Sequence, residues 1–368
     1  MNNIPLIEIF ISGKYVGRMA LTPDGLCGFE YDTDWIQTGF SISPFHLPLK
    51  PGLIMAKRDP FDGNFGVFDD SLPDGWGNLL LDRYLQEKGI YPYKLNILER
   101  LSLIGSTGRG ALEYRPDKSI KADNEFIDFD HLAKETEKIL ESKESTGSVD
   151  LLYKYGGSSG GARPKVFIRI DNREWLVKFK AAIDPVNVGE IEYNYSLLAR
   201  ECGIHMAETR LFDGHYFGTE RFDRTTQGKI HTISASGLLH ANYRIPSIDY
   251  SILLKLTLNL TKDMEQVTEM FRLMVFNILI SNRDDHAKNF SFQCMDGVWK
   301  LSPAYDLLPS SGFNGYHTTT INGKGEPMLS DIIAVAAEVG IQKQNAIQIV
   351  QELTQKCAER KSLKYKLK

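Results

Sequence analysis

The sequence predicts an α+β fold, with short strands over much of its first two thirds and helices over its last third. Apolar runs on either side of Ser12-Gly13-Lys14 have the pattern of a β-hairpin over residues 5–20. A second pair of strand-like runs, 166–170 and 175–179, follows much later. Beyond residue 248 the apolar residues recur with helical spacing, most clearly in 264–281. Strands first and helices second is the order expected for a two-lobed α+β protein.

The first 145 residues are predicted to form a small N-terminal α/β subdomain. The alternation in 27–31 and the Gly, Pro and aromatic content of 27–60 predict further short strands. A helix is predicted from Leu72 to Gly89, because Pro and Asp lie at its start and Gly at its end. Another helix is predicted from about 130 to 142. The polar residues 142–147 then predict an exposed linker.

Residues 146–245 and 246–368 are predicted to form the two lobes. In the first lobe a helix from about 190 to 202 precedes strands near 207–212 and 215–219. In the second lobe an amphipathic helix over 344–360 follows the long apolar one. The first lobe is therefore expected to be strand-rich and the second mainly helical.

Composition points to an ordinary globular protein. The 368 residues carry a net charge of -4, which gives no general attraction to nucleic acid or to anionic membranes. The four cysteines are far apart and form no CxxC pair, so a reducing compartment is expected. The N-terminus lacks the basic region and cleavage site of a signal peptide, and the apolar run 274–280 is too short to cross a bilayer. We therefore expect a cytoplasmic protein with no membrane partner.

Three polar residues in the helical lobe have the order of a phosphoryl-transfer site. Asp284 lies five residues before Asn289, and Asp306 lies 22 residues beyond Asp284. Protein kinases place a catalytic-loop base, a magnesium-holding Asn and a second magnesium-holding Asp in this order. Asp284 would accept the proton of the acceptor hydroxyl, and Asn289 and Asp306 would offer Mg²⁺ hard oxygen ligands. The two lobes are therefore expected to form a protein-kinase-like fold.

The neighbours of these residues leave alternatives open. Asp284 and Asp306 can both stay ionised at close range only near a cation, which Lys288 or the metal ions would supply. We expect His286 to lock the loop by bonding to backbone, with proton transfer as the alternative. A metal hydrolase with Asp284, Asp285, His286 and Asp306 as ligands is a further alternative. The remaining seven histidines form no HxH or HxxxH pair to support it.

A Gly/Ser-rich segment, 156–161, and Lys178 are candidates for phosphate binding. Glycines let backbone N–H groups approach phosphate oxygens, although such a segment is also typical of a linker or a hairpin turn. Lys178 ends a predicted strand and shares a face with Leu176, so its charge needs a partner such as a phosphate. The alternative is an edge-strand lysine in solvent. We prefer Glu192 to Glu190 as the carboxylate that would hold this lysine.

The segment Glu220-Arg221-Phe222-Asp223-Arg224 directly follows a predicted strand. In a two-lobed kinase the segment between the lobes offers backbone groups and an aromatic side chain to adenine. A charged surface turn would have the same composition, so both interpretations stay open here.

Five segments in this order resemble the HipA family of serine/threonine kinases, the toxins of bacterial HipBA toxin–antitoxin modules. The segments are GGSSGGARPK (156–165), LVKF (176–179), ERFDR (220–224), NRDDHAKNFS (282–291) and LSPAYDLL (301–308). FDDSLPDGWGNLLLDRYL (68–85) is similar to part of the family's small N-terminal subdomain. The resemblance covers nearly the whole chain and implies a HipA-like fold.

The resemblance also implies cofactors and site residues. ATP and Mg²⁺ would be bound, with Asp284 as catalytic base and Asn289 and Asp306 as metal ligands. The residues expected to contact ATP are Lys178, Glu220, Phe222, Gly160, Gly161, Ala162, His286, Lys288 and Asn289. Ser158 or Ser159 would be autophosphorylated, which adds about -1.5 to -2 charge at the nucleotide's own anion site. Repulsion would then drive the loop outward and switch the enzyme off.

The same resemblance implies partners. The substrate would be an aminoacyl-tRNA synthetase, whose phosphorylation stalls translation. A HipB-like helix-turn-helix antitoxin would bind the chain, and operator DNA would be reached indirectly through that antitoxin. The basic residues of 356–368 are candidates for contact with the DNA backbone, with a solvated tail as the alternative.

Two other functions stay open. A small-molecule or lipid kinase would share every nucleotide-binding residue and differ only in an acceptor groove near 310–324. A module that only binds an antitoxin and DNA would not need the intact Asp284, Asn289 and Asp306, whose presence therefore argues against it.

Overall fold

The computed structural model describes residues 4–120, 128–141, 149–312 and 314–360. The strands are β1 (Leu6–Ile11), β2 (Lys14–Leu21), β3 (Cys27–Tyr31), β4 (Ile54–Met55), β5 (Leu112–Arg115), β6 (Lys165–Ile170), β7 (Arg173–Lys178), β8 (Thr209–Phe212), β9 (Tyr216–Glu220), β10 (Arg224–Thr225), β11 (Gly228–Lys229), β12 (His231–Ser234), β13 (Ser291–Met295) and β14 (Val298–Leu301). The α-helices are α1 (Thr33–Thr38), α2 (Gly66–Asp69), α3 (Gly75–Glu87), α4 (Ile97–Ile104), α5 (Phe129–Glu141), α6 (Val149–Gly156), α7 (Val188–Glu201), α8 (Ala235–Leu239), α9 (Tyr250–Thr261), α10 (Met264–Leu279), α11 (Leu329–Glu338) and α12 (Lys343–Glu359). Short 3₁₀ helices lie at Pro92–Lys94 and Ala287–Asn289.

The chain divides into two compact units. The first comprises Met1–Glu190 and Glu208–Ile233, and the second comprises Ile191–Ala207 and Ser234–Lys368. The predicted domain boundaries at 145 and 245 stay predictions. Within the described residues, no helix combines the length and the apolar character that a membrane span requires.

The first unit opens with a five-stranded antiparallel sheet in the order β4-β3-β2-β1-β5. In β1 the residues Ile7, Ile9 and Ile11 are buried and alternate with more exposed ones, the pattern of a sheet with one face on a core. Gly17 in β2 lies so close to β3 that a Cβ there would be 2.3 Å from the carbonyl oxygen of Glu30. The sheet therefore requires glycine at this position.

A second antiparallel sheet of the first unit has the order β6-β7-β9-β8. One face of β6 and β7 packs against α3, α5 and α6. The side chains that form this shared core include Val166, Ile168, Val177, Trp76, Leu80, Leu132 and Leu152. In the β6–β7 register Lys165 lies opposite Lys178. This sheet and its helices fix the position of the loop between α6 and β6.

The second unit is mainly helical. Ten of the sixteen residues of α10 are buried, so this helix forms the centre of the unit. Asp249 caps α9 by accepting a hydrogen bond from the backbone N–H of Ser251, and Asp263 caps α10 in the same way. After α10 the chain turns into the loop 281–290 and then into the β13–β14 hairpin.

The predicted α+β class and the order of strands before helices are confirmed. The predicted hairpin, β3, α3, α5, the β6–β7 pair, α7, β8, β9, α10 and α12 all form near their predicted positions. The helix predicted from Leu72 begins instead at Gly75, after the extended cap Asp74. The predicted linker 142–147 lies outside the described residues.

One regional prediction was wrong in part. Between residues 27 and 60 only β3 and the two-residue β4 are strands, because Asp32 caps a helix, α1, through the backbone N–H groups of Asp34 and Trp35. The second unit is mainly helical, as predicted. It also contains the β13–β14 hairpin, because the Asp296-Gly297 turn pairs the flanking strands.

Candidate functional site

The loop 281–290, which follows α10, carries the proposed catalytic residue. The side chain of Asp284 is 59% exposed, and its backbone N–H donates a 2.7 Å hydrogen bond to Oγ of Ser310. Nδ2 of Asn289 donates a 2.7 Å hydrogen bond to the carbonyl oxygen of Asp284. The structure thus joins Asp284 and Asn289 in one loop and leaves the carboxylate of Asp284 open to solvent.

Asp306 has an unusual backbone. Its φ of +60° lies in the left-handed region, which non-glycine residues adopt at a cost of about 1–3 kcal/mol. Its carbonyl oxygen accepts a 3.2 Å hydrogen bond from Nδ2 of Asn282. Asn282 is buried and also donates to Oδ1 of Asn277 in α10. Asn282, at the start of the loop 281–290, therefore holds the backbone of the strained residue and is itself held by Asn277 of α10.

Asn289 and Asp306 have the donor atoms that a magnesium site needs. Because Nδ2 of Asn289 is bonded to Asp284, the amide is oriented so that Oδ1 is the atom a metal would take. Within the described ranges no group of three or more His, Cys, Asp or Glu side chains could hold a metal ion. One amide and one carboxylate fit Mg²⁺, which usually keeps several waters and binds substrate phosphates.

His286 and Lys288 belong to the loop 281–290, and both make contacts that stabilise it. Nδ1 of His286 accepts a 3.2 Å hydrogen bond from the backbone N–H of Lys288, the loop-locking contact expected for this residue. Nε2 of His286 lies 4.0 Å from the carboxylate of Asp284. Nζ of Lys288 lies 4.2 Å from the ring centroid of Tyr243. The backbone carbonyl oxygen of Lys288 accepts a hydrogen bond from the hydroxyl of Tyr305. His286 thus stabilises the loop from within, and Lys288 holds it to Tyr243 and Tyr305.

Asp285 does not suit the hydrolase alternative. It is fully buried, whereas that alternative needs its carboxylate as an open metal ligand. Its oxygens instead accept hydrogen bonds from His317, Tyr250 and two backbone N–H groups. Because the carboxylate is fully engaged, the metal-hydrolase interpretation loses one of its four ligands.

In the first unit, α6 ends at Gly156, and residues 157–164 lead to β6. Gly160, Gly161 and Ala162 are exposed. The backbone N–H of Gly161 donates to the carboxylate of Asp74, and its carbonyl oxygen accepts a 2.9 Å hydrogen bond from the backbone N–H of Trp76. The Gly-rich loop therefore lies against the start of α3.

The two loop serines differ in exposure. Ser158 is half-buried, and its hydroxyl donates a 3.1 Å hydrogen bond to the carbonyl oxygen of Thr107. Ser159 is 1% exposed, and its hydroxyl donates to the carbonyl oxygen of Gly156 at 2.6 Å. Of the two, Ser158 is therefore the more accessible to a phosphoryl donor.

Lys178 lies at the end of β7 and is half-buried, with its Nζ 5.6 Å from the ring centroid of Phe217. Asp184 follows shortly after. Burial alone would raise the pKa of Asp184, but hydrogen bonds from Arg163 and from the backbone N–H of Ala181 lower it.

In α7, Glu192 is buried and Glu190 is exposed, as expected if Glu192 has the structural role. Lys178 and Glu192 belong to different compact units.

The ERFDR segment, Glu220–Arg224, is not a simple surface turn. Arg221 and Asp223 form a buried ion pair with 2.8 Å between Nη2 and Oδ2. Burial alone would raise the pKa of Asp223, but Arg221 and Arg224 lower it well below its usual range. Asp223 also accepts a 2.8 Å hydrogen bond from the backbone N–H of Gly110. No sequence signal indicated this cluster, since its partner lies 113 residues away.

Phe222 lies between the two residues of that ion pair, and Glu220 directly precedes them. Phe222 is half-buried, with the guanidinium carbon of Arg109 6.0 Å from its ring centroid. The backbone N–H of Glu220 donates to the carbonyl oxygen of Glu208 at 2.8 Å, and its carboxylate lies 3.4 Å from Arg173. The buried cluster thus fixes the backbone of the segment that was predicted to reach adenine.

Comparisons with known proteins agree with this architecture. Residues 7–115 match the HipA N-terminal domain, and residues 157–361 match the HipA-like C-terminal domain. The Sinorhizobium fredii protein "Putative kinase Y4dM" is 23% identical over 355 residues, which cover 88% of this chain and 81% of that protein. A chain from the Shewanella oneidensis MR-1 complex of the toxin–antitoxin proteins HipA and HipB with operator DNA superposes with a TM-score of 0.73. It is 19% identical, and the match covers 98% of this chain and 92% of that one.

Proposed function

The chain belongs to the HipA family, and from this premise we propose that it is an ATP- and Mg²⁺-dependent serine/threonine protein kinase. The observation that carries the proposal is the loop in which Asn289 is bonded to the backbone of the exposed Asp284. Asp306, which Asn282 holds in a left-handed conformation, adds the second acidic group. The comparison with a protein named as a kinase supports the same reaction class.

Asp284 is proposed to orient the acceptor hydroxyl and accept its proton. Its exposed carboxylate can receive a serine or threonine hydroxyl, and general-base catalysis contributes about 10²–10⁴-fold to a rate. Asn289 and Asp306 would hold Mg²⁺, which neutralises phosphate charge when bound. His286 and Lys288 keep the loop in the conformation that presents Asp284.

The first unit is proposed to supply the remaining nucleotide contacts. Lys178, half-buried at the end of β7, would bind phosphate. The exposed Gly160, Gly161 and Ala162 would cover the phosphates. Glu220 and Phe222 would line the adenine site, where the Arg221–Asp223 cluster keeps the backbone fixed.

Self-inactivation is proposed to act through Ser158. Its hydroxyl is more accessible than that of the buried Ser159, which favours it as the modified residue. A phosphate there would add about -1.5 to -2 charge and break the bond to Thr107. The loop would then leave its position against α3.

The proposed partners follow from the solved relative, which is a complex of HipA, HipB and operator DNA. A HipB-like antitoxin is proposed to bind this chain, and DNA to be reached through it. The protein substrate is proposed to be an aminoacyl-tRNA synthetase, and the site of action the cytoplasm. The predicted DNA contact of 356–368 falls mainly on residues outside the described part of the chain.

The Asp284→Ala variant tests the function. It should bind ATP with unchanged affinity and lose phosphoryl transfer by at least about 10²-fold, because the acceptor proton has no base. Transfer is measured with labelled ATP and by a phosphoproteome comparison of cells that express the wild type or the variant.

Mass spectrometry of the wild type incubated with ATP should find phosphate on Ser158 rather than Ser159.

Asp296→Asn is the matched control, because it removes an exposed carboxylate in a left-handed turn that Asn tolerates. Its activity should equal that of the wild type. Normal labelling of proteins by Asp284→Ala would contradict the assignment of Asp284 as the catalytic base. Labelling confined to metabolites or lipids would favour the small-molecule kinase, and a wild type that transfers nothing would favour the non-catalytic module.

A further inference from the structure

Asp285 follows the proposed catalytic residue directly, yet none of the proposed catalytic or ligand-binding roles uses it. The side chain of Asp284 is 59% exposed, whereas Asp285 is 0% exposed. A carboxylate is stable in such a position only when hydrogen bonds replace its water. The hydrogen-bond partners of Asp285 therefore indicate which segments the buried carboxylate holds together.

Four donors surround the Asp285 carboxylate. Oδ2 accepts hydrogen bonds from Nδ1 of His317 at 2.8 Å and from the hydroxyl of Tyr250 at 2.9 Å. Oδ1 accepts from the backbone N–H groups of Thr318 at 2.9 Å and Thr319 at 3.2 Å. Because a carboxylate only accepts, Nδ1 of His317 must carry a proton. Three of the four donors belong to the segment His317–Thr319.

The same segment is bonded to the backbone on both sides of Asp284. The carbonyl oxygen of Arg283 accepts from both the N–H and the hydroxyl of Thr318, at 3.1 and 2.9 Å. The carbonyl oxygen of Asp285 accepts from the hydroxyl of Thr319. Asp284 therefore lies between two residues that are clamped to 317–319, and its own N–H is held by Ser310.

A second branch leads from Asp285 to Asp306. The hydroxyl of Tyr250 accepts a 3.0 Å hydrogen bond from Nδ2 of Asn277. Oδ1 of Asn277 accepts from Nδ2 of Asn282 at 3.1 Å, and Asn282 also donates to the carbonyl oxygen of Asp306. Burial and the charge of Asp285 raise the pKa of Tyr250 well above its usual value, so the phenol stays a donor. One buried network thus contacts the backbone on both sides of Asp284, at Arg283 and Asp285, and the backbone of Asp306.

We propose that Asp285 is a positioning residue for phosphoryl transfer. Its carboxylate holds the segment 317–319, downstream of Asp306, against the loop that carries Asp284, and so aligns the acceptor with the base. The inference rests on the proposed kinase function and deepens it. His317 and Tyr250 are the side chains through which Asp285 acts.

The position of the network predicts which kinetic constant changes. The network touches the backbone on both sides of Asp284, the backbone of Asp306 and the segment 317–319, all in the second unit. The Gly-rich loop and Lys178 belong to the first unit. Asn282, and not Asp285, bonds the carbonyl oxygen of Asp306, so a change at Asp285 leaves that bond in place. Weakening the contacts of Asp285 should therefore misplace the base relative to the acceptor while leaving nucleotide affinity unchanged. A misplacement of about 1 Å can lower a rate by about 10²-fold.

The test compares Asp285→Asn with the wild type. Asn keeps the shape but presents an N–H₂ group to donors that need an acceptor, so the segment 317–319 should loosen. The kcat for protein labelling should fall by about 10²-fold, while the Kd for Mg·ADP, measured by calorimetry, should stay within about twofold. Amide hydrogen exchange at Thr318 and Thr319 should become faster, with the exchange of β1–β3 unchanged.

Two milder substitutions, Tyr250→Phe and His317→Gln, test the same network if Asp285→Asn does not fold. Tyr250→Phe removes one donor and should lower kcat by about tenfold. His317→Gln keeps a donor and should retain more activity than His317→Ala, again with unchanged nucleotide affinity. Asp296→Asn serves as the charge control and should behave as the wild type.

The outcomes separate the two proposals. If the wild type transfers phosphate and Asp285→Asn is fully active, the positioning role is overturned and the kinase proposal stands. The same holds if nucleotide affinity and kcat fall equally in Asp285→Asn, Tyr250→Phe and His317→Gln. Unchanged exchange at Thr318 and Thr319 in Asp285→Asn would also overturn it. A wild type that transfers no phosphate would overturn the proposed function, and the positioning role with it.

Discussion

At the scale of single residues, neighbours in the chain have opposite environments. Asp284 is exposed and Asp285 is fully buried, although both are aspartates in the same loop. Ser158 and Ser159 differ in the same manner. Chemistry at this scale depends on which hydrogen-bond donors and acceptors surround each side chain, since a buried polar group must be paired.

The substitution Asp306→Asn tests the proposed metal ligand. Asn tolerates the left-handed backbone at this position, so the variant should keep the fold while it loses the negative charge. Nucleotide affinity in the presence of Mg²⁺ should fall by about tenfold or more, because the metal loses a charged oxygen ligand. Calorimetry with ADP in the presence of Mg²⁺ measures this affinity. Affinity without Mg²⁺ is the control and should not change, and equal Mg²⁺-dependent affinities would contradict the assignment.

At the scale of elements, the start of α3 and the Gly-rich loop approach each other more closely than side chains would allow. A Cβ on Gly77 would lie 2.1 Å from the carbonyl oxygen of Ser159, and one on Gly75 would lie 2.5 Å from that of Gly161. The side chain of Trp76 also donates a 3.1 Å hydrogen bond to the carbonyl oxygen of Lys165. The position of the loop therefore depends on small residues in a distant helix.

The variant Gly77→Ala is expected to displace the loop. The added methyl group meets backbone rather than a flexible side chain, so the free energy of unfolding should fall by about 1–3 kcal/mol. Urea unfolding measures the loss. Gln86→Ala, an exposed change on the same helix, should alter it by no more than about 0.5 kcal/mol. Equal stabilities of the two variants would show that the close contact does not exist in solution.

At the scale of the whole molecule, the proposed site residues are divided between the two compact units. The Gly-rich loop, Lys178, Glu220 and Phe222 belong to the first, and Asp284, Asn289 and Asp306 belong to the second. Each unit has its own buried polar groups, such as the Arg221–Asp223 pair in the first and Asp285 in the second. In the first unit, the buried His231 should make the stability depend on pH.

His231 is expected to make the first unit less stable in mild acid. It is buried, and its Nε2 donates a 2.8 Å hydrogen bond to the carbonyl oxygen of Ile42. Burial lowers the pKa of His231 to about 4, below the value of about 6.5 in the unfolded chain. In the window between these values the unfolded chain binds the extra proton, so stability rises with pH and falls on acidification.

The loss attributable to His231 between about pH 7.5 and about pH 5 should be about 2 kcal/mol. His231→Gln keeps a donor for Ile42 and removes the titration, so the pH dependence of its unfolding should be smaller by that amount. Urea unfolding of the two proteins at both pH values measures the difference. Identical pH dependence of wild type and variant would contradict a neutral, buried His231.

Much of the fold could be predicted because it is encoded locally. The hairpin around Ser12-Gly13-Lys14 and the strand β3 formed as predicted, since turn residues and alternation act over a few positions. The apolar helix α10 also formed as predicted, because its apolar pattern is continuous. The α1 helix was missed because its cap, Asp32, lies within a run that otherwise has strand composition.

The sequence by itself determined the class of fold, the family resemblance, and the spacing of Asp284, Asn289 and Asp306 in one stretch of chain. Only the tertiary structure decided that Asp285 is buried, that Ser158 is more accessible than Ser159, and that Asp223 receives the N–H of Gly110. The reason is physical: periodicity and turns depend on neighbours in the chain. Burial and hydrogen-bond partners depend on residues as far as 189 positions away, which only folding brings together.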